Sequence, residues 1–252
     1  MDFKQGTIDE ILTSEHEMVL CGHERYGEYF ENALEFYKLL DEFIKSVNPD
    51  RFIFVIFLTQ IKKHYILSLF SILRLHHVQA QMDARQVLEA GACAAYAIAK
   101  PDQSGFAETG EHGVLEIGKK VTGKIYKWLN GNFPDGSKAI KNVKGVINNS
   151  AAHSNIAYAH KSFKFDNKRG LFEAPFFDFE DKFLVQADLW QLGNIALLLM
   201  DLFCGINKKY NVIKFSDSFF DQLKLLGDKN QKIKEKMMKT KRFKDTQSNF
   251  SK

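Results

Sequence analysis

An all-α fold, a multi-helix bundle with one short β-hairpin inserted near residues 162–176, is predicted by three features of the 252-residue sequence. Apolar residues recur at three- and four-residue spacing along most of the chain, the period of a helix with one buried face. Only four prolines occur, and residues 1–48 and 50–100 carry almost no turn punctuation, which favours long helices over many short strands. The period changes to two at one place, around Phe163 and Phe165. With 45% hydrophobic residues the chain can bury a substantial core without disulfides or metals.

The elements follow in order. Ile8, Ile11 and Leu12 make one apolar stripe over residues 7–20, and Tyr26, Phe30, Ala33, Tyr37, Leu40, Ile44 and Val47 make another over 23–47. Asn48-Pro49 ends the second helix, because the residue before proline is pushed out of helical geometry. Residues 50–99 read as one long helical stretch with a break expected near 77–82, and Lys100-Pro101 stops it. The segment 101–112 has the Gly, Ser and Pro content of an exposed loop. Helices are expected again over 113–129 and, after the turn NGNFPDGS, over 137–161 with Ser137 as the cap. Phe163, Phe165, the turn DNKRG, Leu171, Glu173 and Pro175 spell the hairpin. A nearly all-apolar helix from 180 to about 204 belongs in the middle of the bundle, with Gly205 as its expected C-terminal cap. A short helix around 216–226 comes last. The domain reading is one helical domain over 1–227 followed by a basic, partly disordered tail over 228–252.

Charge is unevenly placed. The formal net charge is +4, yet Asp228 to Lys252 holds nine Lys or Arg against three acids, so residues 1–227 sum to about −2. Such a tail permits weak, salt-sensitive contact with nucleic acid, although a solvated, partly frayed end is the favoured reading. Cys21, Cys93 and Cys204 are odd in number and form no C-x-x-C pair, which points to reduced thiols and a cytoplasmic location. The acidic, amphipathic start MDFKQGTIDEILTSEHE lacks the character of a signal peptide. Phe52–Leu75 and Trp190–Ile206 are apolar, but the first contains Gln60, Lys62, Lys63 and His64 and the second is short, so both are expected as buried helices and not as membrane spans.

Nucleotide-binding glycine loops, the G-x-S-x-G elbow, H-E-x-x-H and paired cysteine motifs are all missing. No cofactor and no metal are expected: His153 and His160 lie two helical turns apart, roughly 10 Å, and His76 and His77 point in different directions. Two polar features remain. On a continuous helix Gln60, His64, Ser68, Ser71, Arg74, Gln81, Arg85 and Glu89 would share an arc of about 140°, either as a solvent face or as a cleft in which Glu89 orients the Arg85 guanidinium. The second is NNSAAHSN at 148–155, where Asn149, Ser150 and His153 interrupt a run of small residues. There an imidazole can serve proton transfer or anion binding, or simply cap a core position.

The helix carrying ARQVLEA at 84–90, the later helix carrying NNSAAHSN, the hairpin and the last apolar helix together resemble HEPN-like all-α bacterial families of poorly defined function. That resemblance implies a site of Arg85 and Glu89 with Ser150 and His153. It departs from the active nucleases of the group, in which an Arg is followed after four to six intervening residues by a His, since none of the six arginines here is followed in that way.

Three functions are therefore carried forward. The first is a cytoplasmic binding or accessory protein of a stress or defence kind, with Arg85, Glu89, Asn149 and His153 lining a polar cleft. The second is a ribonuclease or other phosphodiester-cleaving enzyme using His153 and Arg85. The third is a structural dimerisation module whose polar residues are links between helices. The partners left open are a second copy of the chain and nucleic acid at the tail.

Overall fold

The computed structural model of the chain describes residues 7–109, 115–116, 121–150, 163–166, 171–173 and 175–244, and over these the fold is an all-α bundle with a short hairpin. Helix α1 (Ile8–Leu20) opens on a capping box: the Thr7 amide donates to Glu10 Oε2 at 2.7 Å and the Glu10 amide to Thr7 Oγ1 at 3.2 Å. Then come α2 (Gly22–Tyr26), a turn at Gly27 with φ 50°, and α3 (Glu28–Glu42).

The helix expected over 23–47 is thus divided, and its last turn is a strand. Ile44–Val47 forms β1, paired antiparallel with β6 (Ile213–Phe215). Two β-branched residues just ahead of Asn48-Pro49 favour extended backbone, and a partner strand from the far end of the chain completes the ladder.

The long stretch 50–99 is two antiparallel helices, α4 (Phe52–Leu73) and α5 (His77–Ala99). They turn over at Arg74–His76, ahead of the expected break, with buried Leu75 in the left-handed region at φ 58°. That conformation costs roughly 1 kcal/mol; burial of the Leu75 side chain and the Asp178 amide donating to the Leu75 carbonyl at 3.0 Å hold it in place. The hairpin turns the expected polar stripe against itself. Ser68 Oγ donates to the Ala80 carbonyl at 2.8 Å, and Ser71 and Gln81 are buried as well.

Beyond a 3-10 turn at Gln103–Gly105, β2 (Glu108–Thr109) and β3 (Leu115–Glu116) pair antiparallel where loop and helix had been expected. Helices α6 (Val121–Asn132) and α7 (Pro134–Ser150) meet at a tight corner. Pro134 takes the first position of α7, where a missing amide hydrogen costs nothing. Ser137 therefore lies inside the helix, with its hydroxyl donating to Asn130 Oδ1 at 2.7 Å, and does not cap it. The hairpin appears as expected: β4 (Lys164–Asp166) pairs antiparallel with β5 (Leu171–Glu173).

Helix α8 (Lys182–Tyr210) starts on Asp181, whose Oδ1 accepts from the amides of Phe183 at 3.1 Å and Leu184 at 3.3 Å. It runs through Gly205, expected as its end, and stops at Asn211 with φ 49°. Helix α9 (Phe219–Lys239) is longer than the short helix expected and takes in the first part of the tail. Its apolar stripe continues from Phe219 and Leu226 to Ile233 and Met237, all buried.

Helix α8 packs against α3, α4, α5, α7 and α9 and is the axis of the bundle. Glycines allow the closest crossings: a Cβ on Gly193 would come within 2.8 Å of Phe36 on α3, and one on Gly91 of α5 would run into Leu199. By length and composition alone both α4 and α8 could cross a bilayer. The two differ in burial, since α4 leaves Phe52, Val55 and Ile56 exposed while α8 is mostly enclosed.

Candidate anion site at the junction of α5, α6 and α7

Successive turns of α5 place Arg85 and Glu89 on one edge of the helix, where Arg85 Nε donates to Glu89 Oε1 at 3.0 Å. Helix α7 crosses there and sends Lys144 to the same oxygen, its Nζ 2.9 Å from Glu89 Oε1. Helix α6 supplies Tyr126, whose hydroxyl accepts from Lys144 Nζ at 3.3 Å. The Tyr126 ring lies under two cations, Lys144 Nζ at 5.2 Å and Lys141 Nζ at 5.7 Å from its centroid. The negative face of the ring favours both. Lys141 is further fixed by Asn130, whose Oδ1 accepts from its Nζ at 2.9 Å.

Electrostatics decide the charge states. Burial pushes the Glu89 carboxyl upward, but hydrogen bonds from Lys144 and Arg85, reinforced by their charges, outweigh it and hold the group below its ordinary value. Burial pulls the Lys144 ammonium down, and the bonds to Glu89 and Tyr126 overcome that and raise it. Cys93, one turn from Glu89, is pushed up to about 11 by burial and by the nearby carboxylate, so it is an inert thiol. Two cations thus meet on one carboxylate and a third, Lys141, lies over the neighbouring Tyr126 ring, so the cluster carries a net charge of +2 at neutral pH. The Lys144 side chain is only 15% exposed and those of Arg85 and Glu89 29% and 34%, so the charges sit partly out of water, where they are screened less.

Of the residues expected in the site, the fold joins Arg85 to Glu89. Asn149 is exposed near the end of α7, the Ser150 side chain is not among those described, and His153 lies outside the described residues. Sequence reasoning missed Lys144, Lys141 and Tyr126. The signal available was composition: residues 121–150 contain five lysines and a single acid, Asp135.

A second polar cluster, also missed, joins α5 to α8. His77 is 3% exposed, and its Nδ1 lies 2.8 Å from Asp188 Oδ2, while Gln81 Nε2 donates to Asp188 Oδ1 at 2.9 Å. The His77 amide donates to Asp178 Oδ2 at 2.9 Å, and the buried ring Nε2 has no partner among the described residues. Neighbouring His76 turns to α1, its Nε2 3.0 Å from Glu15 Oε1. These contacts tie elements together, and among the described residues no three groups are placed to hold a metal ion.

Comparison with known proteins returns no matching family model, no matching curated protein and no matching solved structure.

Proposed function

We propose that the chain is a helical binding or accessory protein that takes an anionic, phosphate-bearing ligand where α5, α6 and α7 meet. One observation carries the reading: Arg85 and Lys144 meet on the single carboxylate of Glu89, with Lys141 beside them over the Tyr126 ring, and leave uncompensated positive charge at a partly desolvated junction. A guanidinium oriented by a carboxylate offers its remaining N–H donors in a fixed fork, the geometry that recognises phosphate oxygens. A cytoplasmic location and a stress or defence role belong to the same proposal. Phosphodiester cleavage is the alternative, and it requires His153 as acid or base; its test is RNA incubated with wild type and with His153→Ala.

Calorimetric titration with pyrophosphate tests the binding reading. Wild type is expected to bind, and Arg85→Ala and Lys144→Met are each expected to weaken binding by about tenfold or more, the scale of one charge-assisted hydrogen bond. Equal affinity in all three proteins, or no binding by wild type, would leave the cluster as a purely structural link between helices.

A further inference from the structure

We infer that the ligand is a chain of phosphates, gripped along the outer face of the α6–α7 hairpin as well as at the Arg85–Lys144 cluster; this rests on the anion-binding reading above.

The first support is the segregation of charge. Residues 7–109 hold nine Lys or Arg against fifteen Asp or Glu, a net of −6, whereas residues 121–150 hold five Lys against one Asp, a net of +4. A small hairpin of opposite sign on an otherwise acidic neighbourhood is an electrostatic footprint for a polyanion.

The second support is where the lysines point. Lys124, Lys127, Lys138 and Lys141 are exposed, and none of them forms an ion pair with a carboxylate among the described residues. Helix α9 is also basic, but its six lysines are interleaved with Asp221, Asp228 and Glu235, and two of them, Lys229 and Lys236, are bonded to Glu35 and Glu28 of α3. On α7, Lys138, Lys141 and Lys144 step three residues at a time, a rise of about 4.5 Å per step. That is the scale of the ~3.4 Å charge spacing along one nucleic-acid strand, and flexible lysine stems absorb the difference. A single phosphate would engage one end of this row and leave the rest idle.

The third support is the absence of a stacking surface on the hairpin among the described residues. Trp128 is turned inward against Tyr96 and Phe133, with ring centroids 5.4 and 5.6 Å away, and Tyr126 lies beneath its two lysines. Contact is therefore through the phosphates and independent of any base. A nucleic-acid backbone and inorganic polyphosphate share this chemistry.

The test measures binding of fluorescein-labelled oligothymidylate by anisotropy and its competition by long-chain inorganic polyphosphate, with pyrophosphate calorimetry alongside. Wild type, Lys127→Glu/Lys138→Glu and the milder Lys127→Gln/Lys138→Gln are compared, all checked for unchanged thermal melting. Expected is a log–log salt slope of roughly −3 for about four neutralised phosphates. The Glu pair should lose tenfold or more in chain affinity and the Gln pair a smaller factor, while pyrophosphate binding persists in both. Polyphosphate that competes when oligothymidylate does not bind identifies the free polymer as the source. Chains that bind no tighter than pyrophosphate, or equally to all three proteins, overturn the inference and leave the single-anion reading standing. Preferential retention on vesicles containing anionic lipid, without chain binding, also overturns it. Failure of wild type to bind pyrophosphate removes the underlying reading itself.

Discussion

Single residues carry two consequences that can be measured. Glu89 is held below the ordinary carboxylate value in the folded chain, so its ionised form stabilises the fold. That contribution is fully present above the unfolded carboxylate value near ~4.3 and is lost as pH falls through the lower folded value. Glu89→Gln should accordingly melt below wild type at neutral pH, with the gap closing in acid. At neutral pH the same variant should bind pyrophosphate more tightly, since a negative charge leaves the site. Asn207 acts differently, folding its amide over the end of α8: Nδ2 donates to the Ile213 carbonyl at 2.8 Å, and Oδ1 accepts from the amides of Val212 and Ile213 at 2.9 Å each. Asn207→Ala strands three backbone groups in a buried place, a loss of about 2–4 kcal/mol readable by urea denaturation. An asparagine among apolar residues gave no hint of this, whereas Gly205 did resemble a helix end. Buried Ile206 and Asn207 carry the helix past it.

Among elements, α9 differs most from its sequence reading. Residues from Asp228 onward look like a solvated tail because lysine dominates, yet Ile233 and Met237 keep the helical spacing and Asn230 is buried. Asn32 Nδ2 on α3 donates to Asn230 Oδ1 at 2.9 Å, and Trp190 Nε1 on α8 donates to the Asn230 carbonyl at 3.0 Å. Composition hides a helix whose outer face is rich in lysine; periodicity at the inner positions reveals it. Removing either amide of the Asn32–Asn230 pair should cost about 1–3 kcal/mol, because a buried polar atom of the survivor loses its partner. Asn32→Ala together with Asn230→Ala should cost less than the sum of the two, and chemical denaturation in a double-mutant cycle would show it. Equal additivity would mean that the two amides do not work as a pair. The same logic explains β1, which only a strand from the other end of the chain could turn out of helix.

For the molecule as a whole, class and core were legible and juxtapositions were not. A nearly all-apolar segment around Leu189–Leu199 with polar-faced helices on either side dictates a central helix and its shell. Arg85 and Glu89 were legible as a pair because they are neighbours on one helix. Lys144 was not, because a partner from another helix depends on the crossing of α5 and α7, which no local pattern encodes. The polar stripe over 60–89 misled for a related reason: it assumed a continuous axis, and the turn at Leu75 folds one half onto the other.

The bond between Asn32 and Asn230 spans 198 residues, and β1 likewise waits for β6. During vectorial synthesis the apolar side of α3 must therefore emerge long before α8 and α9, which supply most of its cover. Closure of the bundle can follow only once α9 has been made, so nascent chains pass through a prolonged, adhesive stage in which premature termination or shelter by a chaperone decides their fate.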